Sequence, residues 1–329
     1  IPVKEFMWDR YPKFSRVKKN ILDAIDGDLI LASKLMPTSF GIGLQKKYSS
    51  GKPLIVDIDD WELGFFYHSG FWGGVGRFLN FSNPNGLPYV WRIERLVGEA
   101  DAVSVSNRFL QKKFKGALLP HCRDTSVLDP QKFNPDEIKE RIGLAGKKVV
   151  MFLGTPRPHK GLDDLLAAFK KIGDLNVKLV IIGAENQQEF LKRVDHSIRE
   201  SVVVLPKTPF QKLPELLSAA DILAIPQRRT SDSVGQIPAR LFDAMSMAKP
   251  IIATRVSDIP EVLNNCGYLV DPNKPSQLAD AIKYILNHSD EARVKGDAAR
   301  ARCRQKYDIH NLESGLSGLI EQVIAKKAN

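Results

Sequence analysis

Between Val149 and Val270 six short apolar runs, at 149–153, 178–183, 202–205, 221–225, 250–253 and 268–270, alternate with helix-patterned stretches near 162–172, 186–193, 211–219, 238–247 and 275–287. A chain that alternates in this way joins successive strands by helical crossovers, and crossovers build parallel sheets covered by helices on both faces. The same alternation runs more loosely upstream. Strands are expected at Leu29–Ala32, Leu54–Val56, Ala102–Val105 and Ala117–Leu119, and helices at Thr38–Lys47, Val90–Gly98 and Asn107–Lys115, the last opened by an Asn cap. The fold class that follows is α/β, with two Rossmann-like domains.

A chain of 329 residues is long enough for two such domains. The boundary is expected in Asp136–Lys148, where charges together with Gly143 and Gly146 interrupt the apolar pattern. That places an N-terminal domain over 1–145, a second over 146–306, and a helical tail over 307–329. The chain opens at Ile1 with no obvious first strand, so the first domain reads as incomplete. The glycine- and aromatic-rich piece FFYHSGFWGGVGRFLNFSNPNG, 65–86, is too long for a plain connection. It reads either as a mobile functional loop or as an ordered lid packed by its own aromatic side chains.

Composition removes several classes. No run of eighteen uncharged apolar residues occurs, so a membrane-spanning helix is not expected. Cys122, Cys266 and Cys303 are odd in number and far apart, which gives neither a disulfide framework nor metal-ligand spacing and points to a reducing cytoplasm. The formal charge of +10 favours anionic partners or a generally basic surface. Nucleic acid is not expected, because a basic patch interleaved with aromatics is confined to NRFLQKKFKG. The amphipathic stretch with Lys4, Arg10, Lys13, Arg16, Lys18 and Lys19, set against Glu5 and Asp9, fits a peripheral contact with the anionic inner face of a membrane or a solvated helix face.

The chemistry is expected beyond the carboxyl ends of the second domain's strands, where ligands of open parallel sheets bind. Three turns are expected to meet there: 154–161, 206–212 and 226–238. The first, GTPRPHKG, gathers Arg157 and Lys160, and the second holds Lys207. The third leads through Gly235 and Gln236 to Pro238 in the first turn of a helix, whose free N–H groups and dipole suit a phosphate. A cation turn facing a glycine-opened helix start suits a diphosphate. Asp243, farther along that helix, is either exposed or turned inward to accept sugar hydroxyls.

The segments VMFLGTPRPHKGLDDLLAAF, VKLVIIGAE and GQIPARLFDAMSMAKPIIATRVSDIPEVL together resemble the donor-binding half of the retaining glycosyltransferases of family 4, also called group 1. The likeness covers about 145–306 and is weaker upstream, where PLIVDIDDWE and ADAVSVSNRFL resemble the acceptor domain's later strands. It implies the GT-B fold, two Rossmann-like domains facing across a cleft, with 307–329 as the helix that crosses back to the first domain. The implied donor is a nucleotide diphosphate sugar and the implied acceptor a sugar or lipid-linked hydroxyl. No cofactor and no metal are implied, because cations take the metal's role.

Residue by residue, Lys160 matches the family's lysine, while Thr155 stands where the family has arginine and Arg157 is the nearest substitute. Asp243 matches the second of two family glutamates, the one that binds the ribose, and Arg240 resembles the basic residue of subfamilies with Pro-x-Lys or Pro-x-Arg ahead of this acid, which implies either a phosphate contact or a salt bridge to Asp243 one turn away. The first falls on Gly235, so that acid is absent, with Asp232 as a stand-in. Asp59 and Asp60 take the places of the family's His-Asp pair in the first domain, where paired carboxylates could orient an acceptor hydroxyl or cap the next helix. His68 and His121 are further candidates, and Glu261 fits a helix-start carboxylate. Two alternatives share the fold: a sugar-nucleotide 2-epimerase, and a non-catalytic nucleotide-sugar-binding partner.

Overall fold

The computed structural model describes residues 2–67 and 76–328. His68 and the middle of the 65–86 segment lie outside the described residues. The chain divides into two compact units: Ile1–Pro120 with Val234–Gln236 and Glu313–Asn329, and His121–Ser233 with Ile237–Leu312.

The first unit holds a four-stranded parallel sheet of β1 (Ile30–Ser33), β2 (Leu54–Ile58), β3 (Ala102–Val105) and β4 (Ala117–Leu118), in that order across the sheet. Leu54, Val56 and Ile58 pack one face with Phe40, Leu44 and Leu110. On the other face Ile55 meets Leu319 and Val323 of the helix Ile309–Ala328. Asn107 caps the helix Arg108–Phe114 as expected, its Oδ1 accepting from the Leu110 N–H at 2.9 Å. The helix Phe14–Ala24 carries Arg16, Lys18 and Lys19 of the amphipathic stretch, with Phe14, Val17, Ile21 and Leu22 at helical spacing.

The second unit holds six parallel strands: β5 (Lys148–Leu153), β6 (Val177–Ile182), β7 (Val202–Leu205), β8 (Ile222–Ile225), β9 (Ile251–Thr254) and β10 (Tyr268–Val270). Their order across the sheet is β10-β9-β8-β5-β6-β7. Winding proceeds one way from β5 through β6 and β7, then returns to β8 on the other side and continues outward. The connections leaving β5 and β8 therefore part to opposite faces, which makes the carboxyl ends of these two neighbours the switch point of the sheet.

The division falls at Pro120, not within 136–148. Residues 121–145 contribute Leu128 and Leu144 to the second unit's core, where both are buried against Val149, Met151 and the helix Ala239–Ser246. The stretch 135–141 forms a helix of that unit. Charges and glycines marked a turn on its surface, whereas shared apolar burial sets the unit.

Candidate functional site

At the end of β5 the chain enters Gly154 at φ +115°, crosses Thr155, Pro156 and Arg157, and makes a single 3-10 turn, Pro158–Lys160. Gly161 at φ +68° then leads into the helix Leu162–Ile172. A Cβ on Gly161 would lie 1.7 Å from the Pro226 carbonyl oxygen, so only glycine lets this turn seat against the chain leaving β8.

Two polar clamps hold that seat. Arg228 donates from Nε and Nη2 to both oxygens of Asp164, at 2.8 and 2.7 Å, while its backbone N–H donates to the His159 carbonyl at 2.8 Å. His159 is buried with its Nδ1 2.8 Å from Asp232, which also accepts from the Thr230 hydroxyl. Burial first, and then the Lys160, Arg157 and Arg240 charges, hold the His159 imidazole below its usual value against the opposing effect of Asp232. Asp232 thus braces the turn internally.

What the clamps present is positive charge. Lys160 is half-buried, and among the described residues no carboxylate lies within ion-pair distance of it. Burial chiefly, then the neighbouring Arg240 and Arg157 charges, push its ammonium down to about 8. Arg240 reaches the same spot from the helix Ala239–Ser246. Its Nη1 donates to the Leu153 carbonyl at 2.7 Å and its guanidinium lies over the Phe152 ring at 4.6 Å. Arg157 is exposed at the rim.

Several expected residues stand elsewhere. Gly235 and Gln236 do not open the helix, which starts at Ala239 after Pro238. They are counted with the first unit, where the Gln236 amide donates to Asp60 at 2.8 Å and a Cβ on Gly235 would lie 2.5 Å from that of Trp61. The close approach that glycine allows there is to an indole-bearing residue. Lys207 is exposed after β7, two strands from β5 and so about 10 Å across the sheet. The three turns expected to meet are therefore two, with the third set apart.

Arg240 does not pair with Asp243. Asp243 is 4% exposed and ion-paired instead with Arg123, whose Nη2 also donates to the Ala239 carbonyl at 3.1 Å. Burial raises the Asp243 carboxyl and Arg123 opposes that rise. Arg123 was not among the residues expected at the site. The first unit likewise gathers more than expected: at the ends of β1 and β2, Lys34 Nζ lies 3.3 Å from Asp59, 3.1 Å from Asp60 and 3.4 Å from Glu62. Burial raises the Glu62 carboxyl to about 7, helped by the Asp60 and Asp59 charges and opposed by Lys34. These three carboxylates could hold a metal ion, and Lys34 already supplies a positive charge at the same place.

Two clefts of about 270 and 300 Å³ flank the outer side of the 155–158 turn, sharing Pro156, Phe190 and Arg193. Neither is lined by Lys160 or Arg240. The switch point and the unpaired cations therefore define the site better than cavity size does.

Residues 147–288 match the family model described as Glycosyl transferases group 1. The chain is 26% identical over 224 residues to a GDP-mannose-dependent alpha-(1-6)-phosphatidylinositol monomannoside mannosyltransferase of Mycolicibacterium smegmatis, covering 63% of this chain and 59% of the relative. It is 27% identical over 237 residues to a D-inositol 3-phosphate glycosyltransferase of Segniliparus rotundus, covering 64% and 51%. The chain thus spans little more than half the length of these relatives. Among solved structures, Anabaena Alr3699/HepE in complex with UDP-glucose superposes with a TM-score of 0.78 at 17% identity, covering 98% of this chain and 86% of that one. Sucrose-phosphate synthase from Thermosynechococcus elongatus gives 0.76 at 18%, covering 96% and 78%. The two parallel sheets and these neighbours bear out the expected GT-B class.

Proposed function

We propose that the protein, whose residues 147–288 match the model of group 1 glycosyl transferases, transfers a sugar from a nucleotide diphosphate sugar to an acceptor hydroxyl with retention of configuration. The observation that carries this reading is Lys160, an ammonium at the sheet's switch point with no carboxylate partner among the described residues, beside a second buried cation. Burying charge without a counter-ion is costly unless a ligand supplies one. A diphosphate does so, and its charge grows as the glycosidic bond breaks, so fixed cations there stabilise the transition state more than the ground state. The solved complex of Alr3699/HepE with UDP-glucose and the GDP-mannose dependence in a relative's name fit the same donor class.

In this reading Lys160 and Arg157 act on the leaving diphosphate, with Thr155 and the more distant Lys207 lining the donor's approach. Asp243 accepts a ribose hydroxyl at the carboxylate oxygen that Arg123 does not engage. Asp59 and Asp60 orient the acceptor hydroxyl, with Glu62 beside them to share its proton. The chemistry needs no metal. Among the described residues no helix is long and apolar enough to cross a membrane. A cytoplasmic protein that touches anionic lipid through Lys4, Arg10 and the exposed Met7 and Trp8 fits a lipid-linked acceptor. Incubation of UDP- and GDP-sugars with and without acceptor, with product anomers assigned by NMR, tests the reading. An inverted product ends the retention claim, and conversion of the donor alone marks an epimerase.

Lys160 makes the donor site pH-sensitive. Its pKa of about 8 lies below its unfolded value of 10.5, so between these limits the unfolded chain binds more protons and the contribution of this group to stability rises with pH. Anion binding runs the other way, because it favours the protonated ammonium. UDP affinity is expected to fall by about tenfold from pH 7 to pH 9, a range in which the phosphate, with its second pKa near 6, no longer titrates. Calorimetry across that range checks it, and a flat profile that matches a Lys160→Met variant would remove Lys160 from the site.

The ribose assignment has its own check. Replacing UDP by its 2′,3′-dideoxy analogue is expected to weaken binding to the unaltered protein by about tenfold and binding to Asp243→Asn far less, since a carboxylate loses more than an amide when its hydroxyl partner goes. Equal losses in both proteins would leave Asp243 as the internal partner of Arg123 alone.

A further inference from the structure

At the edge of the second sheet opposite the switch point, a cavity of about 290 Å³ lies between the amino ends of β5, β8 and β9 and two helices, Pro275–Asn287 and Ser289–Lys306. Lys148 begins β5, Asp221 precedes β8 and Lys249 leads into β9, while Arg293 and the apolar Ile285 and Leu286 close the space from the helices. The six residues of β5, about 20 Å of strand, separate it from the turn that carries Lys160. Its wall is built closely. Ala248 adopts φ +51°, and a Cβ on Gly296 would lie 2.3 Å from the Ala248 carbonyl oxygen, so glycine lets the helix Ser289–Lys306 press against this edge.

The cavity gathers more positive charge than its surroundings neutralise. Lys249 Nζ donates to the Ser218 carbonyl at 2.6 Å, at the carboxyl end of the helix Leu213–Ser218, which uses one of its three N–H bonds. Burial chiefly lowers this ammonium to about 8, with Asp221 opposing and Lys139 adding to the fall. Asp221 is already engaged: its Oδ2 accepts from Lys139 Nζ and from the Val149 N–H, both at 2.7 Å. Among the described residues neither Lys148 nor Lys249 has a carboxylate within ion-pair distance, and Arg293 reaches only the exposed Asp297, at 3.9 Å.

We infer that this cavity binds a phosphate group, carried by a small monoester or free, with Lys249, Lys148 and Arg293 as its cations. A phosphate dianion supplies the counter-charge that Asp221, held by Lys139, does not give to Lys249. The start of the helix Ser289–Lys306, where His288 makes no side-chain cap, adds N–H groups and the positive end of the helix dipole. Ile285 and Leu286 offer an apolar face to the body of an ester, and the volume matches the smallest small-molecule sites, about 300 Å³. Capping a helix accounts for the contact of Lys249 with Ser218, but not for Lys148 and Arg293 around the same cavity. The site lies apart from the proposed donor site and does not depend on that reading.

The test titrates alanine-methyl-labelled protein with inorganic phosphate, glucose 6-phosphate and glucose, and follows by NMR the methyl signals of Ala220, Ala248 and Ala292, which line the cavity. It is run on the unaltered protein and on Lys160→Met, because the cations at the switch point also attract phosphate. Saturable shifts at the three methyls are expected with both phosphates in both proteins, and none with glucose. Lys249→Met is expected to weaken the affinity by about tenfold, the scale of one charge-assisted hydrogen bond, and the exposed Arg293→Ala by about threefold. Lys306→Ala, at the far end of the same helix, controls for the general attraction of a chain of formal charge +10 and should change nothing. Should Lys249→Met fail to fold, the double variant Lys148→Ala with Arg293→Ala carries the comparison, with an expected loss of about tenfold.

Tighter binding of the ester makes its organic body part of the ligand, and equal or weaker binding identifies free phosphate; either supports the site. Shifts that rise linearly with concentration, or an equal loss in Lys306→Ala, mark an adventitious ion only and overturn it. Phosphate binding that Lys160→Met abolishes and Lys249→Met leaves intact overturns it as well. UDP affinity is expected to be unchanged in Lys249→Met, so failure here leaves the nucleotide-sugar reading standing. A protein that takes phosphate in this cavity but binds neither UDP nor GDP ends that reading and not this one.

Discussion

Lys160→Ala is expected to lower turnover by about a hundredfold or more, the usual loss when one group facing the developing charge is removed. The size of the effect follows from the surroundings of this ammonium. It is desolvated, its immediate charged neighbours are cations, and its own turn is immobilised by Gly161, by the fork of Arg228 on Asp164 and by the His159–Asp232 pair. A charge held in place before the reaction needs no reorganisation during it, so its electrostatic effect reaches the transition state in full. Steady-state kinetics with saturating donor separate this from a mere loss of affinity. A fall in kcat is the signature, and an active variant with unaltered nucleotide affinity would take Lys160 out of the mechanism.

Gly161→Ala is expected to cost more than about 4 kcal/mol in stability, a size reserved for substitutions that a fold cannot absorb locally. The contrast is Gly173→Ala, expected to cost about 1–2 kcal/mol, since both glycines adopt nearly the same left-handed conformation, φ +68° and +66°. Around Gly173 a new Cβ meets nothing within 4 Å, so only the backbone preference is lost. At Gly161 it would overlap the Pro226 carbonyl, and both are backbone atoms at the switch point that no rotamer change can move apart. Urea unfolding of the two variants gives the comparison directly. Similar midpoints would mean that the connections leaving β5 and β8 are not seated on each other, and the geometry proposed for the anion site would fail with them.

The turn after β5, with its two glycines and two cations, was legible because its evidence is local. A strand, a glycine on each side, two cations and a helix start follow one another within about a dozen residues, and backbone conformation and charge act at that range. The capping of Arg108–Phe114 by Asn107 is legible for the same reason. The partners that give each cation its meaning lie far away in the chain. Arg228 is 64 residues from Asp164, and Arg123 is 120 from Asp243. Such pairs carry no periodicity, so a pairing of Arg240 with Asp243 one turn away stood open as one of two readings, whereas Asp243 pairs with Arg123.

Apolar periodicity by itself determined that this chain alternates strand and helix, that its sheets are parallel and where most strands lie, because burying one face of each element is a demand made within a few residues. Only the tertiary structure decided the order β10-β9-β8-β5-β6-β7, the division at Pro120, the grouping of Gly235 and Gln236 with the first unit, and which cations have no carboxylate partner among the described residues. These depend on which distant surfaces and charges meet in space, and the free energy of such meetings is settled by packing, not by neighbours in sequence.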